Sequence, residues 1–226
     1  MVKIDIISGF PGSGKTTLIK KMTEQWDPHD GPLAIIENDF GNVKLDAPCL
    51  SLSGIHIAEL NTGCVCCSLT GRLSECLSDI LDTIQPSRII LEPSGAARLS
   101  DVLATIEALR PRLPIESGSI ITMAVPFRSP AHRTRFFGIY KNQLLNACLI
   151  LPGPLNLMPP EKRQRFLQTL KEDSEGVPVF NAPWQEADAK ILWQLGSLSK
   201  ASLKNNDPFI TVSPPKMRAV SRTLKT

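Results

Sequence analysis

Long apolar runs are missing from this sequence. No window of about 18 residues is both apolar and uncharged, which argues against a helix that crosses a bilayer. Aromatic residues are scarce, at 5% with a single tyrosine, and the formal net charge is only +3. No basic stripe interleaves with aromatics, so a nucleic-acid surface is not expected. Histidine is rare too: His29, His56 and His132 stand apart. His56 reads as a strand residue, and His29 and His132 as solvent-facing. The opening stretch MVKIDIISGF has a short apolar run that carries an acid, with no small-residue cleavage site after it. It is not expected to be a signal peptide, and the protein is expected in the cytoplasm. There is no internal repeat and no low-complexity block.

What is present is an ordinary globular composition, 42% hydrophobic and 21% charged over 226 residues, enough for one large domain. Apolar strands alternate with helical patterns. KIDIIS (3–8), PLAIIEN (32–38), GIHIAEL (54–60), RIILE (88–92), SIITMAV (119–125), ACLILP (147–152) and VPVF (177–180) read as strands. Helices are expected over 15–26, 68–84, 130–146, from Pro160 through EKRQRFLQTLKE, and over 184–197. Cys76 lies beside the apolar stripe of the second of these, and Cys49 and Cys148 read as isolated core residues. Such alternation predicts an α/β fold with a mostly parallel sheet between layers of helices. Residues 1–204 are expected to form the domain, and 205–226 an irregular tail.

GFPGSGKT, from Gly9 to Thr16, matches G-x-x-x-x-G-K-[ST] in full, after a strand and before a helix. Glycines at Gly9, Gly12 and Gly14 allow backbone shapes that other residues resist. The amides around Ser13, Thr16 and Thr17 can then converge on phosphate oxygens at the positive end of a helix. Lys15 is placed to reach the β and γ phosphates, and Thr16 to hold Mg²⁺. The fold class is therefore a three-layer P-loop NTPase. LEPSG (91–95) puts Glu92 at the carboxyl end of a buried strand, where such proteins keep a magnesium-side carboxylate, with Gly95 in an E-x-x-G spacing. That glycine's N–H is a candidate for the γ-phosphate. ENDFGNVKLD (37–46) gathers Glu37, Asp39 and Asp46; Glu37 and Asp39 are candidates for magnesium or water, and Asp46 reads as surface. Arg128, Arg133 and Arg135 are candidates for a lid, with a solvated helix face preferred.

Three of the six cysteines fall within NTGCVCC, at Cys64, Cys66 and Cys67. In a reducing compartment such a cluster reads as metal-binding or redox-active rather than as a disulfide. A bridge between the adjacent Cys66 and Cys67 would be strained.

Taken in order, GFPGSGKTTL, ENDFG, NTGCVCC and EPSG give a chain that resembles the CobW family of P-loop GTPases, relatives of the enzymes that load nickel into hydrogenase and urease. The resemblance implies a slow GTP hydrolase that delivers zinc or cobalt to a client metalloenzyme or a cofactor-synthesis protein, alone or as a homodimer. It carries over the phosphate loop from Gly9 to Thr16, the E-x-x-G glutamate Glu92, and a site for the delivered metal at Cys64, Cys66 and Cys67; with the residues read above, Lys15 and Glu92 are expected to be catalytic and Thr16, Glu37 and Glu92 to hold magnesium. Thiolates suit Zn²⁺ and Co²⁺, and three ligands leave a fourth place open for exchange. The resemblance implies GTP before ATP, but the N-K-x-D segment by which such proteins read guanine is replaced by LPGPLNLM (151–158), which has neither lysine nor aspartate, so the base is not fixed. ITMAVPFRSP (121–130) lacks the aspartate that ends that strand in relatives. The family's second, C-terminal domain is expected to be absent. Two other readings stay open: a small-molecule P-loop kinase, and a nucleotide-binding partner module with negligible turnover.

Overall fold

The computed structural model describes residues 1–37, 54–59, 69–180, 182–197 and 210–211. Their strands are β1 (Val2–Gly9), β2 (Leu33–Glu37), β3 (Ile55–Glu59), β4 (Arg88–Glu92), β5 (Ile115–Ala124), β6 (Leu149–Pro152), β7 (Val179–Phe180) and β8 (Ile210–Thr211). The helices are α1 (Lys15–Glu24), α2 (Leu69–Thr83), α3 (Leu99–Leu109), α4 (Pro130–Asn146), α5 (Pro160–Ser174) and α6 (Ala189–Ser197). One sheet runs in the order β3-β2-β4-β1-β5-β6-β7-β8. Its first seven strands are parallel, and β8 pairs antiparallel with β7.

The two faces of the sheet follow from the period of two along each strand. Ile4 and Ile6 of β1, Ala34 and Ile36 of β2, and Ile89 and Leu91 of β4 face a core closed by α2, α3, α4 and α5. Ile7, Leu33, Ile35 and Ile90 face the opposite core, closed by α1 and α6. On α2, Leu73, Leu77 and Ile80 are buried at helical spacing. The buried residues of both faces are mainly apolar, as expected of parallel strands covered on both sides, with Asp5, Ser8, Ser119 and Thr122 the polar exceptions on β1 and β5.

Four details depart from the sequence pattern. Helix α3 is left unassigned above, although Leu99, Val102, Ile106 and Leu109 stand at helical spacing and are buried; its N-cap, Arg98, supplies no side-chain cap. Strand β5 begins at Ile115, four residues early. Its IESG start looks like a turn because Gly118 sits at a register shift, where a side chain would collide with the carboxylate of Asp5. Helix α6 begins at Ala189 instead of Trp184. The indole of Trp184 turns inward and donates to Pro152 O at 3.1 Å, so residues 182–188 serve as a packed connection. Within the expected irregular tail, Ile210 and Thr211 extend the sheet.

Candidate functional site

Four groups of residues meet at the carboxyl end of the parallel strands, where ligands gather in open α/β sheets. The first is the phosphate loop between β1 and α1. Gly14 is the N-cap of α1 with φ 99° and no side-chain cap, so the first-turn amides of the helix are left for a ligand. Gly9 has φ 140°, and a methyl there would stand 2.8 Å from Ser13 Oγ and fall on Met123 O. Ser13 N donates to Phe10 O at 3.1 Å, closing the turn. Ser13 is fully buried, Thr16 is half-buried and Thr17 is exposed.

Lys15 is 8% exposed. Its Nζ lies 3.4 Å from Glu92 Oε1 and donates to Phe10 O at 3.4 Å. The lysine thus rests on the carboxylate that ends β4, and the two candidate catalytic side chains are brought together directly. Glu92 and Ile90 share the face covered by α1.

The third group is a row of register partners. Glu92 of β4 is paired with Glu37 of β2, and Glu37 with Glu59 of β3. Three acidic residues therefore end three adjacent strands, spaced about 4.8 Å per strand. Lys15 stands against the Glu92 end of that row. Cys64, Cys66 and Cys67 lie outside the described residues, as do Asp39, Asp46 and Cys49. The cysteines fall in the connection from β3 to α2, starting at the end of the strand that carries Glu59. Among the described residues there is no cluster of three or more histidine, cysteine or acidic side chains able to hold a metal.

The fourth group presses on the loop from the sides. A methyl on Gly95 would stand 2.6 Å from Pro11 Cδ and 2.9 Å from Pro11 N, so the E-x-x-G turn touches the phosphate loop. A methyl on Gly153 would stand 2.5 Å from Val125 Cγ1 and 3.6 Å from Ser13 O, so the chain after β6 runs directly behind the loop. In the segment after β6, Asn156 and Leu157 are exposed. Phe10, inside the loop, packs against Tyr140 (5.6 Å between ring centroids), Phe127 (6.0 Å), His132 (6.1 Å) and Phe136 (6.3 Å).

That wall corrects the reading of His132 as solvent-facing: it is half-buried among aromatic rings near the N-terminus of α4, because the apolar side of the helix continues through it. Arg133 departs from the expected solvated face: it pairs with Asp173 at 2.9 Å and lies over Phe137 at 4.4 Å, whereas Arg128 and Arg135 are exposed. His29 is exposed, and His56 is a half-buried residue of β3. Cys76 packs half-buried beside the core, and burial followed by the neighbouring charge of Asp79 pushes its thiol up. Cys148 is half-buried just before β6. No helix among the described residues is long and apolar enough to cross a membrane.

The sequence reading missed Phe10 as an anchor and Gln143 as a clamp on the E-x-x-G turn. Phe10 occupies a variable position of the motif, and only the excess of aromatics over 127–140 hints at its partners.

The family described as CobW/HypB/UreG, nucleotide-binding domain, matches residues 3–180. The zinc chaperone YjiA of Escherichia coli (strain K12) is 33% identical over 109 residues, which are 46% of this chain and 34% of YjiA. The zinc chaperone YeiR of the same strain is 24% identical over 192 residues, covering 85% of this chain and 58% of YeiR. The chain thus spans about a third to three fifths of the length of these relatives. The crystal structure of Zn(II)-bound YjiA GTPase from E. coli superposes with a TM-score of 0.63 at 21% identity, covering 97% of this chain and 67% of that one, which shows a shared fold.

Proposed function

Because the chain belongs to the CobW/HypB/UreG family through its nucleotide-binding domain, we propose that it is a nucleotide-switched metal carrier. In this reading it binds GTP before ATP, hydrolyses it slowly, and passes Zn²⁺ or Co²⁺ to a client metalloenzyme or cofactor-synthesis protein in the cytoplasm. The observation that carries it is the line of partners from Lys15 through Glu92 and Glu37 to Glu59, which leads from the phosphate loop to the strand that opens into Cys64, Cys66 and Cys67. Two strand spacings separate the ends of β4 and β3, about 10 Å.

The roles follow from charge. The amides of Gly12, Ser13, Gly14, Lys15, Thr16 and Thr17 cradle the phosphates. An incoming triphosphate offers Lys15 a stronger anion than Glu92, so the lysine transfers to it and Glu92 is left without its cation. The donors at that place fit magnesium: Glu37 and Glu92 end neighbouring strands, and Thr16 stands in the first turn of α1. Magnesium held there would neutralise phosphate charge. Lys15 stabilises charge developing on the γ-phosphate, and Glu92 orients what replaces it there. Gly95, against Pro11, is the residue whose main chain senses the terminal phosphate.

Protein purified without chelators and titrated with Zn²⁺ or Co²⁺ tests the reading through thiolate-to-metal charge transfer. Metal affinity is expected to differ between the triphosphate-analogue and diphosphate states, and equal dissociation constants would overturn the coupling. Free phosphate should appear without any acceptor. Its absence would favour the non-turnover partner module, whose supporting observation is the uncharged 151–158 segment.

A further inference from the structure

Helix α4 reaches the E-x-x-G turn through one buried side chain. Gln143 is 1% exposed. Its Nε2 donates to Gly95 O at 3.1 Å and to Ala97 O at 2.9 Å. Its own carbonyl accepts from Thr122 Oγ1 at 2.9 Å, which ties the helix to β5. The neighbouring Asn142 holds the next stretch, accepting from Ser100 N at 3.2 Å and donating to Ser100 Oγ at 3.0 Å. The turn itself closes by Ala97 N donating to Ser94 O at 2.9 Å. Residues 95–100 are thus hung from α4, while Gly95 touches Pro11 of the phosphate loop.

The amide of Gln143 is only half used. Both hydrogens are engaged, but Oε1 is buried and accepts no hydrogen bond among the described residues. Turning the amide over would set Oε1 against two carbonyl oxygens, so the orientation is fixed by chemistry. A buried acceptor without a donor is costly. A primary amide brings that oxygen along with its two donors, so it is at hand for a second arrangement of the turn. A clamp that serves two arrangements of one turn needs donors for the first and an acceptor for the second.

We propose that Gln143 is a positioning residue of the nucleotide switch: its two amide hydrogens hold the 95–97 turn in the resting place, and its spare Oε1 receives a main-chain N–H of that turn once a γ-phosphate draws Gly95 toward it. This rests on the reading of Glu92 to Gly95 as the segment that senses the terminal phosphate. The resting arrangement uses two bonds from Gln143 and the engaged one uses one, so the residue biases the protein toward the diphosphate or empty state. Through α4 the change reaches the aromatic wall around Phe10.

The test compares the affinity of wild type, Q143L and K15M for Mg²⁺ with GDP and with the β,γ-imido analogue of GTP, with the adenine pair run in parallel. Leucine removes the donors and the acceptor at nearly constant volume. The triphosphate-to-diphosphate affinity ratio is expected to rise about threefold to tenfold in Q143L, the worth of roughly one net hydrogen bond. A purely structural role would weaken both nucleotides alike and leave the ratio at the wild-type value, which overturns the inference. Wild type binding neither nucleotide would overturn the phosphate-loop reading instead. Hydrogen exchange on the wild type covers the case in which Q143L does not fold. The amides of 95–97 are expected to exchange at different rates in the two nucleotide states, and equal rates overturn the inference.

Discussion

Strand β4 carries two ion pairs four residues apart, on the same face of the sheet, and they are built differently. At its start, Arg88 Nε lies 2.8 Å from Asp5 Oδ2, and Asp5 is fully buried. Asp5 Oδ1 also accepts from Ser119 N at 2.6 Å and Ser119 Oγ at 2.9 Å, and the guanidinium lies over Trp193 at 5.2 Å. At its end, Lys15 Nζ lies 3.4 Å from Glu92 Oε1 and donates to Phe10 O at 3.4 Å. A planar fork stacked on an indole and a backed-up carboxylate make a joint that stays closed. A point charge on a flexible stem makes one that opens when a better anion arrives. The difference lies in the two cations: the guanidinium of Arg88 is stacked on an indole, and the ammonium of Lys15 ends a flexible stem.

Breaking the closed joint should cost most. R88M leaves Asp5 buried without its cation and is expected to destabilise the fold by about 3–5 kcal/mol in urea unfolding. Burial already raises the Asp5 carboxyl above its ordinary 3.8, against the pull of Arg88 and then Ser119. A group raised in this way contributes stability that is complete below its unfolded value and is lost as pH rises through the folded one. In R88M that loss should deepen, so the variant is expected to be more stable at pH 5 than at pH 8. A loss under about 1 kcal/mol, the same at both pH values, would show the two joints to be alike.

Next in size, K15M should lower triphosphate affinity at least about a hundredfold, because Lys15 supplies the cradle's fixed cation. Its unfolding midpoint should stay near wild type, in contrast to R88M; a fall as large as that of R88M would make the open joint structural. S119A removes one of two bonds from Asp5 and should cost about 1–2 kcal/mol with unchanged nucleotide affinity. The smallest effect is that of E92Q. Without magnesium it frees Lys15, and nucleotide affinity is expected to rise about threefold by fluorescence titration, the worth of one weak ion pair. A fall in magnesium-free affinity would show that Glu92 assists phosphate binding instead of competing with it.

Much of this was legible in the chain. The GFPGSGKT and LEPSG motifs locate the loop and its carboxylate because their spacing encodes backbone geometry within a few residues. The strands were legible because buried parallel strands are continuous apolar runs. What stayed hidden depends on partners distant in sequence. Gly118 lies outside the expected strand, and its place in β5 makes sense only once Asp5, 113 positions earlier, is seen to need the space. Gln143 is one polar residue in a helix until its partners at 95 and 97 are known. Trp184 looks like a helix start, and only its bond to Pro152 O shows otherwise. Helix α3 is the exception, since Leu99, Val102, Ile106 and Leu109 stand at helical spacing in the sequence itself.

The raised thiol of Cys76 has a practical use. At neutral pH it stays protonated, and a protonated sulfur reacts slowly with electrophiles. Brief alkylation at that pH therefore leaves Cys76 largely unmodified in the folded chain, and mass spectrometry with and without added zinc can read protection at Cys64, Cys66 and Cys67 without a Cys76 background.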